Sequence, residues 1–144
     1  MSERVIRLAT REVDDSLVVY KHEGMGHLCI RQGERHVCDN STDQIAWAWR
    51  RVMEIRDRGL ASGRVAMLGG GFCVAAEMLG PDYDITVFEI DAGLREFCPD
   101  HASFVVGDWR ETFKGKWDAI LYDIAEELSM LDEQRLSEAG WLLR

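Results

Sequence analysis

The sequence predicts an α/β fold in which a small antiparallel ribbon precedes an open parallel sheet of about five strands. From Arg64 onward, short apolar runs alternate with helical stretches, the pattern of right-handed β–α–β crossovers. The first run, Val65 to Leu68, breaks into Gly69-Gly70-Gly71, where glycine alone turns this tightly without a Cβ clash. The next run ends in acid, at Phe88-Glu89-Ile90-Asp91. A glycine turn beside an acid at a strand tip suits a nucleoside, because backbone amides can approach one end of it and a carboxylate can accept from its ribose hydroxyls.

The elements follow in order. Residues 1–40 alternate polar and apolar positions at Val5, Leu8, Leu17 to Tyr20, His27 to Ile30 and His36 to Cys38, with turn residues between them. The period then changes. Ser41 and Gln44 fit a capping box and Gly59 a helix stop, so a helix is expected across this stretch. Ile45, Ala48, Trp49, Val52 and Arg56 share its apolar face, with Trp47 about 160° away, over the hairpin or in a pocket. Val65 to Leu68 is then a strand, Cys73 to Leu79 a helix stopped by Gly80-Pro81, and Ile85 to Ile90 a second strand. Gly93 to Cys98 reads as helical, Phe104 to Val106 and Ala119 to Tyr122 as strands, Ser129 as the cap of a helix to Ala139, and Trp141 to Leu143 as a fifth strand. Residues 41–144 form one compact unit with no repeat or linker, and the ribbon of residues 1–40 stands before it.

Charge narrows the partners. The net charge is −9, and it resides in the second half: residues 1–81 hold 11 acids and 11 bases, residues 82–144 hold 15 acids and 6 bases. No basic stripe exists to neutralise phosphates, so nucleic acid is not an expected partner. The acidic half suits a cationic small substrate, and equally a solvated surface. No apolar run approaches the ~20 residues of a bilayer span and the amino end lacks a signal-peptide block, so a cytoplasmic protein without membrane contact is expected. Four cysteines in such a setting do not suggest a disulfide framework. If Gln32-Gly33 is a hairpin turn, His27, Cys29, His36 and Cys38 share one face of the ribbon. Zinc uses such donors, but around a turn more than along two strands, and no metal is expected. A short fifth strand at the sheet edge predicts a homodimer that covers it, a state that sedimentation would reveal.

Three acids end successive strands at the ligand-binding edge: Glu89, Asp108 and Asp123. Each has a structural reading beside the functional one. Asp123 can cap its turn and Asp108 the helix that follows it, whereas Glu89 at a buried strand tip needs a partner. A dinucleotide site is the other reading of the glycines. Val74 stands where that motif wants Gly or Ala, although the acid 18 residues after Gly71 suits NAD as well.

The block from Arg64 to Asp91 resembles the cofactor half of spermidine synthases, the polyamine aminopropyltransferases, which have a Rossmann-like, class I methyltransferase-type fold. Leu68-Gly69-Gly70-Gly71 and Phe88-Glu89-Ile90-Asp91 carry the likeness most strongly. Val106-Gly107-Asp108, Ala119 to Asp123 and the hairpin Gly26 to Gly33 extend it along nearly the whole chain, which is shortened at its C-terminal end. The resemblance implies that S-adenosylmethionine or its decarboxylated form is bound. Gly69, Gly70 and Gly71 would hold the methionine-derived tail, Glu89 the ribose and Asp108 the adenine amino group, with Asp91 and Trp109 beside them. Asp123 would be the catalytic acid that orients and deprotonates an attacking amine.

The departures fall on the acceptor side. Phe72, Cys73 and Val74 replace an Asp and two glycines of the resembled loop, His36 stands for a hairpin Gln, and Trp47 for a Tyr. His36, Trp47 and Phe72 are therefore the candidate acceptor contacts. Three readings stay open: a transferase moving an aminopropyl or methyl group to a cationic amine or another acceptor, a catalytically inactive nucleoside-binding protein, and an NAD-binding module.

Overall fold

A computed structural model describes residues 3–7, 16–21, 28–32, 35–39 and 42–144. Four antiparallel strands, β1 (Glu3–Arg7), β2 (Ser16–Lys21), β3 (Leu28–Gln32) and β4 (Arg35–Asp39), form a meander in the order β1-β2-β3-β4. The β3–β4 register corrects the expected hairpin. Gln32 pairs with Arg35 and so belongs to the ladder, not to a turn, and a bulge between Ile30 and Arg31 shifts the register. Cys29 therefore lies opposite Asp39, Cys38 opposite Ile30 and His36 opposite Arg31, which breaks the expected His–Cys cross-strand pairs. His27 and Ser41 lie outside the described residues.

Helix α1 (Thr42–Asp57) leads into a five-stranded parallel sheet of order β7-β6-β5-β8-β9. Its strands are β5 (Gly63–Leu68), β6 (Tyr83–Glu89), β7 (Ala102–Val106), β8 (Ala119–Tyr122) and β9 (Trp141–Leu143). The connections carry helix α2 (Val74–Leu79), a 3-10 turn (Ala92–Phe97), helix α3 (Trp109–Thr112) and helix α4 (Met130–Ala139). Ser129 caps α4, its Oγ accepting from the Asp132 amide at 3.1 Å. No helix of the described residues is long and apolar enough to cross a membrane.

Strand alternation divides the core between the two faces of the sheet. Val65, Met67, Ile85, Val87 and Leu121 face α1 and α2, where Ala48, Val52, Ile55, Ala76 and Leu79 cover them. Ala66, Leu68, Phe88, Ile120 and Tyr122 face the other way, under Trp109, Phe113, Trp117 and Leu136. Each fully buried large aliphatic chain contributes about 1.5–3 kcal/mol.

The buried stripe of α1 is Ala48-Val52-Ile55, rotated from the expected one. Ile45 and Trp49 stay 42% and 52% exposed, whereas Trp47 packs against the core with the Arg51 guanidinium 5.5 Å from its ring centre.

Candidate functional site

The site grows out of the centre of the sheet, where β5 lies between β6 and β8 and successive crossovers run to opposite sides. Beyond Leu68 the chain must turn between two strand ends. Gly69 does so at φ +81°, its amide donating to the Phe88 carbonyl at 2.9 Å. A Cβ at Gly69 would stand 2.6 Å from the Asp123 carbonyl oxygen, so backbone occupies the space a side chain would need. Gly70 is close against Val87, Gly71 turns at φ +53°, and Cys73 enters α2 at φ +56°, the one described non-glycine residue at positive φ.

Glu89 finds the partner its buried position demands. Oε1 accepts from the amides of Gly70 (3.1 Å) and Gly71 (3.3 Å), and Oε2 from the amide of Asp91 (3.2 Å). The carboxylate is 8% exposed and knits the tip of β6 to the turn after β5. Of about four acceptor positions on a carboxylate, three are used by these amides. Asp91, at the start of the 3-10 turn, is 4% exposed.

Asp108 at the end of β7 caps α3: its Oδ1 accepts from the Arg110 amide at 3.0 Å and lies 3.8 Å from the same residue's guanidinium. Arg110 also meets Asp132 at 3.0 Å and Glu126 at 3.2 Å. The hydrogen bond from Arg110 to Asp132 pushes the guanidinium pKa up, burial opposing it. Trp109 is a core residue. It is 4% exposed, edge-on to Tyr122 at 6.3 Å, and its Nε1–H has no hydrogen-bond acceptor among the described residues. Its indole thus belongs to the packed underside of the sheet, and Asp108 is the member of this pair placed at the rim. Burial raises the Tyr122 hydroxyl pKa, and that hydroxyl donates to the Glu126 carbonyl at 2.7 Å.

Asp123 follows β8 directly, its amide held by the Leu68 carbonyl at 3.0 Å. Its Oδ2 accepts from Gln44 Nε2 at 2.7 Å. Gln44, which the sequence pattern fits to a capping box, thus reaches a residue 79 positions away.

On the acceptor side, Phe72 packs edge-to-face on Phe97 with ring centres 4.7 Å apart. The neighbouring residues also meet: the Cys98 thiol, which donates to the carbonyls of Pro99 (3.6 Å) and Ala102 (3.8 Å), lies near enough to Cys73 to act on its thiol electrostatically. Burial, then the neighbouring Cys98, pushes the Cys73 thiol pKa far up; burial also raises that of Cys98. This joins the glycine turn to the end of the 3-10 turn, a link without a sequence motif. Trp47 lies against the core under Arg51, and the side chain of His36 is outside the described residues. A shallow pocket lined by Arg56, Gly59, Ala61, Leu79, Asp82 and Tyr83 lies at the opposite, amino-terminal edge of the sheet and holds none of these candidates.

The structure thus brings Gly69, Gly70, Gly71, Glu89 and Asp123 together through backbone contacts and hydrogen bonds, with Asp108 at the tip of the outer strand β7. No protein-family model and no curated protein matches the chain. Among solved structures, spermidine synthase from Thermotoga maritima superposes with a TM-score of 0.66 at 15% identity, over 96% of this chain and 54% of that one. A proposed S-adenosyl-L-methionine-dependent methyltransferase from Methanococcus maripaludis gives 0.53 at 13% identity, over 69% and 55%. Coclaurine N-methyltransferase bound to N-methylheliamine and SAH gives 0.52 at 14% identity, over 65% and 32%. The chain spans about half the length of the first two of these structures. Its fold is the Rossmann-like fold of the S-adenosylmethionine-dependent methyltransferases.

Proposed function

We propose that the carboxyl edge of this sheet binds S-adenosylmethionine or its decarboxylated form, and that the protein transfers a methyl or aminopropyl group to an amine. The observation that carries this reading is the Glu89 carboxylate fixed between Gly70 and Gly71 at the strand-order reversal. A carboxylate that already orders the turn keeps one acceptor position for a ribose hydroxyl. Asp108 retains Oδ2 beside its cap for the adenine amino group. Acids at Glu89 and Asp123 favour a sulfonium cation over an anionic nucleotide.

In the transfer, the amine lone pair forms the N–C bond while the C–S bond breaks and its electron pair returns to sulfur. The sulfonium becomes a neutral thioether, and the proton leaving nitrogen passes to the Asp123 carboxylate. A second reading, a nucleoside-binding protein without turnover, is supported by Phe72, which packs on Phe97 where the resembled loop has an acid. Proposed partners are a small nucleoside and a cationic amine. A second copy of the chain is proposed along an outer strand, β7 or β9.

Thermal melting with S-adenosylmethionine, decarboxylated S-adenosylmethionine, methylthioadenosine and NAD tests the reading. A ligand at 100 times its Kd adds about 2.7 kcal/mol. Stabilisation by a sulfonium nucleoside, lost in Glu89→Ala, is the expected result; stabilisation by NAD alone would replace it with the dinucleotide reading. Incubation with decarboxylated cofactor and amines then separates the two functions, since released methylthioadenosine marks an aminopropyltransferase and binding without release marks a binder.

A further inference from the structure

We propose that Gln44 is the positioning residue of Asp123, holding its carboxylate in one rotation and in the ionised form. The inference rests on the reading of Asp123 as the acid that receives the amine proton. The geometry has three parts. Helix α1 is anchored on the sheet by Ala48, Val52 and Ile55, so its first turn, with Gln44, is placed by the core. Asp123 is fixed from behind, because its amide donates nothing to solvent but to Leu68, and its carbonyl is seated over Gly69. Between these two fixed points runs a partly buried hydrogen bond of 2.7 Å, at the short end for N–H···O and typical of an amide on a charged oxygen.

The hydrogen bond from Gln44 restricts rotation of the Asp123 carboxylate about its χ angles. One oxygen tied to an amide defines the plane of the other, which is what an acceptor of a proton in flight requires. Glutamine does this without competing for the proton, since its amide does not titrate. Donation to the ionised form also favours that form. Two acids on neighbouring elements are engaged elsewhere: Glu89 on β6 accepts the loop amides, and Glu126 in the loop after β8 pairs with Arg110. A glutamate at position 44 would put two carboxylates within hydrogen-bond distance, and such a pair shares a proton.

The test follows the Asp123 carboxyl carbon by NMR through a pH titration in the wild-type chain, Gln44→Ala and Gln44→Glu. Gln44→Ala should move the Asp123 midpoint upward by roughly half a pH unit to one, and Gln44→Glu further, through the shared proton. Gln44→Asn, one methylene shorter, should behave as the alanine variant. An unchanged midpoint in Gln44→Ala, with only a lower melting temperature, would reduce Gln44 to a structural contact and overturn the proposal. If Gln44→Ala does not fold, the near-isosteric Gln44→Glu decides by the same criterion. Where the wild type turns over, the acid limb of its kcat profile should move upward with the midpoint in Gln44→Ala. Failure of the wild type to be stabilised by S-adenosylmethionine or its decarboxylated form would instead remove the nucleoside reading, whatever the Asp123 midpoint does.

Discussion

The turn after β5 and the rim after β7 and β8 stand at the same edge of one sheet but are built by opposite means. The turn is made of backbone: Gly69 fits under a carbonyl, Gly70 against Val87, and a single buried carboxylate gathers three amides. The rim is made of long charged chains, with Arg110 serving Asp108, Glu126 and Asp132, and Arg135 donating to the carbonyls of Arg110 and Phe113. Backbone contacts have no slack, whereas solvated side chains have many ways to meet. A ligand that must be held to within a fraction of an ångström belongs on the first kind of surface, and a rim that admits varied acceptors can be the second.

Substitutions should separate the two kinds by size of effect. Gly69→Ala meets a backbone oxygen at 2.6 Å and a positive φ together, so denaturant unfolding should show a loss of about 4 kcal/mol. A loss under about 1 kcal/mol would mean that the turn has slack after all. Glu89→Ala leaves buried loop amides unpaired and should cost about 2–3 kcal/mol in the same measurement, with the nucleoside stabilisation gone. Asp108→Ala removes a cap at the rim and should cost about 1 kcal/mol. Glu126→Ala loses an ion pair whose acid is 60% exposed and should stay within about 0.5 kcal/mol at ordinary salt. An Asp108 or Glu126 effect as large as that of Glu89 would erase the contrast.

The parallel sheet was legible because its strands are buried on both faces and read as unbroken apolar runs. Val65 to Leu68 and Ala119 to Tyr122, buried throughout, carry that signal, and Gly69 and Asp123 mark where they end. Local chemistry was legible in the same way, as at Ser129, whose hydroxyl caps α4. Registers and rotations were harder. A His-x-Cys pattern on both strands of the ribbon fits more than one pairing, and the bulge at Ile30/Arg31 leaves no mark in composition. On α1 the periodicity puts Trp49 on the apolar face and Trp47 opposite it, whereas Trp47 packs against the core and Trp49 stays exposed. Contacts between distant residues had no sequence signal at all. Gln44 with Asp123, and Phe72-Cys73 beside Phe97-Cys98, depend on where crossovers deliver their ends.

Cys73 gives the glycine turn a built-in clock. Its thiol is fully buried and held protonated, so an alkylating reagent reaches it only when the turn opens. Cys98, partly exposed, reacts without that opening and serves as the internal standard. The ratio of the two labelling rates, read by mass spectrometry, therefore counts openings of the turn. A nucleoside seated on Glu89 should slow the Cys73 rate by the factor with which it occupies the site, which turns one strained cysteine into a measure of affinity that needs neither turnover nor a known acceptor.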